Sequence, residues 1–277
     1  MLLASLSFSL MGLCVKLGST DFSPAELVFY RSLFGLIPLM LIAVRQRQSL
    51  TSPHWKLHLL RSTVGLTSLW LYFYALTRLP LATAVTLNYT SPLFLALLLV
   101  LFSRQNLRRS LIFTLIIGFA GVLLVLRPHM DAREGFAALV GLLSGFGAGL
   151  AYFLLRTLGR EGEPEWRTVL YFTGLSTIVL GAWLPFSREP SVSHLTPGHL
   201  GILLMLGFSA TAGQLCMTRA YRMGSALLVA NFAYSTIVFS SIFGILFFRE
   251  WLSVWGWAGV ALVIVAGIGA SRLTRTG

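Results

Sequence analysis

The sequence predicts an all-α membrane protein, with ten transmembrane helices arranged as two five-helix inverted repeats. Three observations lead there. The 277 residues are 56% hydrophobic and only 11% charged, with a mean hydropathy of +0.80. Soluble domains carry about 25% charged residues, and a soluble chain this apolar has too little polar surface to cover itself. The apolar residues also come in long runs with short polar breaks, each run near the ~20 residues that cross the hydrocarbon of a bilayer. Finally, Lys and Arg are shared unequally between alternate breaks, as the positive-inside rule describes.

Taken in order, spans are expected near residues 1–17, 24–44, 59–77, 81–102, 110–127, 135–156, 167–187, 198–219, 224–248 and 252–271. No basic segment precedes the first run, so it is expected to stay as a span and not to be cleaved as a leader. Breaks such as Arg78-Leu79-Pro80 and Tyr221-Arg222-Met223-Gly224 do little more than reverse the chain, which makes consecutive spans antiparallel neighbours. With the N-terminus in the cytoplasm, fourteen Lys and Arg residues fall on the cytoplasmic side, including Arg45, Lys56, Arg61, Arg104, Arg160 and Arg222. Six fall opposite: Lys16, Arg78, Arg127, Arg133, Arg188 and Arg249. That bias places both termini in the cytoplasm of a cell inner membrane and requires an even number of spans.

A weak internal repeat runs through the chain. A shift of 144 residues carries Arg78 onto Arg222, Ala82 onto Ala226, Val85 onto Val229 and Ser91 onto Ser235. It also carries Asn106-Leu107 onto Glu250-Trp251. Five helices per half is an odd number, so the second half inserts upside down relative to the first. Two inverted halves supply two related gates around one central site, as alternating access requires.

Composition and motifs exclude several function classes. The formal charge of +12 is spread thinly between apolar segments, with no basic stripe or interleaved aromatic pattern for nucleic acid. Cys14 and Cys216 lie inside apolar runs and form no metal or disulfide framework. There is no GxxxxGK[ST] loop for an ATP motor and no HExxH metal motif. All nine acids and all five histidines are read as lying in loops or at span edges, so no proton relay crosses the bilayer centre. His54, His58 and Arg61 are read as a loop cluster that sets topology and meets headgroups, the nearest thing to the interfacial site of a lipid-modifying enzyme. No cofactor, metal or catalytic residue is expected. The expected partners are a small-molecule substrate and the lipid bilayer, with the chain as a monomer or a homodimer.

The candidate substrate-binding residues are polar groups inside spans. Arg31 lies about seven residues into the second span, where a charge costs several kcal/mol unless paired or hydrated; it suits an anionic or zwitterionic substrate. Thr67, Trp70 and Tyr74 share one helical face, and the 144-residue shift maps them onto Thr211, Gln214 and Thr218. Asn88 with Ser91, and Asn231 with Tyr234, are i, i+3 pairs in the fourth and ninth spans, where a buried amide must find a partner. Tyr152, and less directly Tyr72, complete the set. Gly141, Gly145 and Gly149 repeat every fourth residue, which reads as a close-packing stripe. Pro38 and Pro92 are expected to bend their helices.

Three stretches resemble the drug/metabolite transporter superfamily, in particular its EamA-type carriers. They are Pro24-Ala25-Glu26-Leu27-Val28-Phe29-Tyr30-Arg31; Phe73-Tyr74-Ala75-Leu76-Thr77-Arg78-Leu79-Pro80-Leu81-Ala82-Thr83-Ala84 leading into Ser91-Pro92-Leu93-Phe94; and Phe248-Arg249-Glu250 before a last helix rich in glycine at Gly256, Gly259 and Gly267. The resemblance implies one EamA-like repeat over 1–127 and a second over 135–272. It implies a central cavity among helices one, three, four, six, eight and nine. It also implies a secondary carrier, an exporter of a small polar metabolite such as an amino acid, related zwitterion or metallophore. A metabolite or vitamin importer of the same fold is the alternative. The chain departs from the family at Asn106, where the first half usually carries Glu.

Overall fold

The computed structural model describes residues 1–45, 47, 49–79, 81–103, 109–126, 135–186, 196–249, 251 and 253–275. Among them the chain forms α-helices and one short 3-10 turn, with no strand. The helices are α1 (Leu2–Gly18), α2 (Pro24–Arg45), α3 (Trp55–Arg78), α4 (Leu81–Asn88), α5 (Ser91–Ser103) and α6 (Arg109–Leu126) in the first half. The second half holds α7 (Gly135–Arg160), α8 (Glu165–Trp183), α9 (Pro197–Met223), α10 (Ala226–Ala233), α11 (Ser235–Phe248) and α12 (Val254–Arg275). Helix is the form these runs must take in lipid, because it satisfies each backbone N–H and C=O within its own segment. Six stretches are long and apolar enough to cross a membrane: Pro24–Arg45, Thr83–Phe102, Gly135–Arg160, Glu165–Phe186, Pro197–Met223 and Ala226–Phe248. Shorter apolar helices run over Leu2–Gly18, Arg109–Leu124 and Val254–Ala270. Leu41, Leu101, Phe102, Phe113, Phe208 and Leu246 are each more than half exposed, so the outer surface is suited to acyl chains and not to water.

The helix starts are built from side chains. Ser23 Oγ accepts from the Glu26 amide at 3.3 Å while Glu26 Oε2 accepts from the Ser23 amide at 2.9 Å, with Pro24 as the first helical residue of α2. This reciprocal cap explains the Pro-Ala-Glu start and commits Glu26 to the helix end. Thr196 and His199 cap α9 in the same way behind Pro197. Pro38 sits inside α2, which continues through it.

Two apolar stretches are broken. The first is interrupted at Tyr89 and Thr90, between α4 and α5, and the second at Tyr234, between α10 and α11. Pro92 accounts for the first break. It has no N–H to offer the Asn88 carbonyl, and its ring would strike that carbonyl in a continuous helix. Sequence reasoning expected a bend there; the structure has two helices. At the second break α1 adds side-chain hydrogen bonds to carbonyls on either side. Ser5 Oγ donates to Phe232 O at 3.2 Å and Ser9 Oγ to Thr236 O at 2.9 Å. The leading pieces α4 and α10 are both eight residues long, and they begin at Leu81 and Ala226, close to the register of the sequence repeat.

Helix neighbours follow a pattern. α6 packs on α12, α2 on α8, α3 on α7, α1 on α9, α5 on α7 and α1 on α11. Exchanging the two halves, with α1 for α7, α2 for α8, α3 for α9, α5 for α11 and α6 for α12, returns the same set of pairings. Glycines permit the close approaches. A Cβ on Gly121 of α6 would lie 2.8 Å from the Gly259 carbonyl of α12. A Cβ on Gly145 of α7 would meet the Leu87 carbonyl at 2.5 Å and the Thr90 hydroxyl closer still. The α7 glycine stripe therefore seats the broken α4–α5 helix. The Pro80, Asn106 and Glu250 readings, and the basic residues Arg104, Arg108, Arg127, Arg133 and Arg188, lie outside the described residues.

Candidate substrate cavity

A cavity of about 100 Å³ opens between the two halves. Its wall draws on α1 (Ser9, Met11), α2 (Arg31), α3 (Arg61, Ser68, Tyr72), α4 (Asn88), α7 (Tyr152), α8 (Phe172), α9 (Gln214) and α11 (Thr236, Ser240). All six helix positions implied by the family resemblance contribute, and the second and seventh segments add Arg31 and Phe172. At roughly 30 Å³ per water, the space holds a few waters or a carboxylate-sized group.

Two arginines dominate the cavity. Arg31 is 2% exposed and its Nε donates to the Met11 thioether at 3.4 Å, its one hydrogen bond among the described residues. Arg61 is also 2% exposed; its Nη2 donates to Gln214 Oε1 at 3.3 Å, while Nε and Nη1 have no hydrogen-bond partner. Both stand over the Phe172 ring, with Cζ at 5.5 Å from its centroid for Arg31 and 4.3 Å for Arg61. Gly65 makes room for this: a Cβ there would be 3.1 Å from the ring and 3.5 Å from Arg61 Nη1. Sharing one ring holds the two charges within about 10 Å, where like charges repel by more than ~1.5 kcal/mol at an effective dielectric of about 20. Among the described residues no carboxylate forms an ion pair with either. The holders present are a thioether, an amide oxygen and an aromatic face, each weaker than a carboxylate.

Of the sequence candidates, the structure brings Arg31, Tyr72, Asn88, Tyr152 and Gln214 to the cavity wall. Asn88 Nδ2 also donates to Ser144 Oγ of α7 at 3.0 Å, and Tyr152 stacks on Tyr221 at 5.3 Å. The others sit elsewhere. Thr67 and Trp70 are exposed on the outer face of α3, Trp70 by 46%. Tyr74 packs edge-on against Phe136 at 6.3 Å. Thr211 presses its hydroxyl against Gly35 of α2. Asn231 donates back to Leu227 O of its own helix at 2.9 Å. Tyr234 is fully buried, and a Cβ on Gly118 of α6 would touch its ring at 2.7 Å. The 67/70/74 spacing does define one face of α3, but the cavity takes the opposite one, Arg61, Gly65, Ser68 and Tyr72.

The reading of His54, His58 and Arg61 as a loop cluster is corrected. His58 and Arg61 are in α3, and His58 is fully buried. Its ring stacks on Tyr171 at 4.5 Å, and its Nε2 lies 3.2 Å from Glu163 Oε2. Glu163, in the α7–α8 connection, also accepts from Ser52 Oγ and from Arg167 Nη1 at 3.0 Å. Burial pushes the Glu163 carboxyl up, but the hydrogen bonds from Ser52, Arg167 and His58 outweigh it and hold the group below its ordinary value. This cluster ties α3 to α8 one helical turn beyond Arg61. The signal for Arg61 was available as an i, i+4, i+7, i+11 stripe of Arg, Gly, Ser and Tyr on α3. For Met11, Phe172 and Thr236 no sequence signal separates cavity from packing.

A sequence profile of the EamA-like transporter family matches residues 1–127 and 135–272. The chain belongs to that family. It is a multi-pass membrane transporter and not an enzyme. Its relatives include the pseudopaline exporter CntI of Pseudomonas aeruginosa, 33% identical over 273 residues that cover 99% of this chain and 95% of the relative. A riboflavin transporter of Brucella anthropi is 26% identical over 246 residues, covering 87% and 86%. A solved crystal structure superposes with a TM-score of 0.79 over 98% of both chains at 18% identity, and so shares the EamA-like fold.

Proposed function

We propose that this EamA-like transporter is a secondary exporter of a small polar metabolite that carries an acidic group, an amino acid, related zwitterion or metallophore. It works in the inner membrane by alternating access, with ten spans in two inverted halves, 1–127 and 135–272, and both termini in the cytoplasm. The observation that carries the substrate reading is Arg31, buried in the central cavity with a thioether as its one hydrogen-bond partner among the described residues. A buried cation held so weakly is poised for an anion. Arg31, Arg61, Asn88, Tyr152 and Gln214 are the proposed contacts. The inverted arrangement is supported by the exchange of neighbours between halves and by the matched breaks at α4–α5 and α10–α11, since broken helices mark the site in carriers built this way. The exporter named among the relatives supports the outward direction.

The test is an untargeted comparison of metabolites inside and outside cells with and without the protein. An acidic metabolite depleted inside and enriched outside is expected. Enrichment inside would replace export by uptake. The hit should then exchange across vesicles containing the purified carrier, and Arg31→Gln should reduce that exchange at least about tenfold, the value of a charge-assisted hydrogen bond.

A further inference from the structure

We infer that the cavity takes a substrate with two acidic groups, one for Arg31 and one for Arg61. The inference rests on the carrier reading above and narrows its substrate class. Arg61 is 2% exposed, lines the cavity and leaves Nε and Nη1 without a hydrogen bond. Arg31 satisfies one nitrogen, on sulfur. Each guanidinium can grip a carboxylate through two parallel N–H groups.

Charge balance argues for two acids and not one. Two guanidinium groups over the same aromatic ring repel each other, and the cavity wall offers them no ion-paired carboxylate among the described residues. A mono-acid bound at one leaves the other, a buried guanidinium, uncompensated. A two-acid ligand cancels both and turns the mutual repulsion into bridged attraction. Phe172 of α8 and Tyr72 of α3 add aromatic surface to the same cavity wall, which suits a short carbon chain joining the acids. Gln214 already accepts from Arg61 Nη2 at 3.3 Å, so its amide orients that guanidinium while Nε and Nη1 keep no hydrogen-bond partner among the described residues.

The test uses the full chain in lipid nanodiscs, with glutarate and succinate as two-acid probes, butyrate as the one-acid probe and glutaramide as the neutral one. Binding is read by the shift of the unfolding midpoint and by calorimetric titration. The two-acid probes should bind about tenfold or more tighter than butyrate, the ratio that one further charge-assisted contact supplies. Arg31→Gln and Arg61→Gln should each bring that ratio close to one while butyrate still binds. Equal binding of glutarate and butyrate by the unsubstituted protein overturns the inference, as does a preference that survives both substitutions. The unsubstituted protein alone decides the first comparison, so a variant that fails to fold does not shelter the idea. Exchange in vesicles separates the two readings. Exchange without preference for two acids leaves the carrier standing and removes this inference. Two-acid binding without exchange does the reverse.

Discussion

At the scale of single residues, charges account for most of the site. Arg31 and Arg61 are held at the cavity by weak acceptors, whereas Glu163, in the α7–α8 connection, is held by strong donors. The Glu163 carboxyl accepts from Ser52 and Arg167 and lies 3.2 Å from Nε2 of the buried His58, and these contacts hold it below its ordinary value against the opposing effect of burial. A carboxyl with a depressed folded value stabilises the fold above the unfolded value of about 4.3 and loses that contribution as pH falls through the folded value. Acidification below about pH 4 should therefore loosen the α3–α8 tie. Glu163→Gln should remove that acid-dependent step and lower stability at neutral pH by about 1–3 kcal/mol, since Ser52 and Arg167 lose an ionised acceptor. Thermal unfolding across pH in nanodiscs checks both; an unchanged acid limb in the variant would assign the step elsewhere. Trp70 gives the opposite case. Its ring is 46% exposed on the outer face, so Trp70→Leu should leave exchange within about twofold of the unsubstituted carrier, as surface substitutions do.

At the scale of helices, the breaks and the glycines are one construction. Pro92 ends α4 at Asn88 by denying a donor to that carbonyl, and α7 covers the break through Gly141, Gly145 and Gly149. Gly145→Leu would drive a side chain into the Leu87 carbonyl and the Thr90 hydroxyl. Because backbone cannot yield, it should cost several kcal/mol and abolish a folded monodisperse carrier, as size-exclusion chromatography would show. Gly135, with open space at its Cβ position, should accept the same change. At the other break Ser9 Oγ lies 2.9 Å from both Ser5 O and Thr236 O, which share its one proton. Ser9→Ala should cost about 0.5–1.5 kcal/mol, the range for hydrogen bonds between membrane helices, measured as a lower unfolding midpoint with the cavity residues intact.

At the scale of the whole molecule, the exchange of helix neighbours between halves supports the proposed rocking of two halves about a shared centre. The cluster of Ser52, His58, Glu163 and Arg167, with Arg222 pairing Glu165 at 3.1 Å, joins the halves at one end. Both termini are expected on that same side. Single cysteines placed at Ser49 and at Thr20, in a chain with Cys14 and Cys216 replaced by alanine, should react from opposite sides of the membrane with an impermeant maleimide. Labelling of both from one side would overturn the ten-span topology.

Much of this was legible from residue order. Composition and run length determine that the chain is helical and lives in lipid, because only a segment with its backbone bonds internal survives there. Pro92 marked a bend, though not a full break, the break at Tyr234 had no mark in the residue order, and the cost of a charge in hydrocarbon singled out Arg31. Which face of α3 turns inward was decided only by tertiary packing. Thr67, Trp70 and Tyr74 and the stripe through Arg61 and Tyr72 are both regular helical faces, and period alone cannot rank them when lipid replaces water outside. The burial of His58 and Arg61 escaped for a related reason. Both stand near the start of a helix, where a basic residue reads as topology until a neighbour, here Phe172 of α8 or Glu163 beyond α7, folds over it. Sequence determined the solvent and the segments; only the packed structure decided which polar groups share a cavity, because that depends on helix rotation, which hydropathy does not encode.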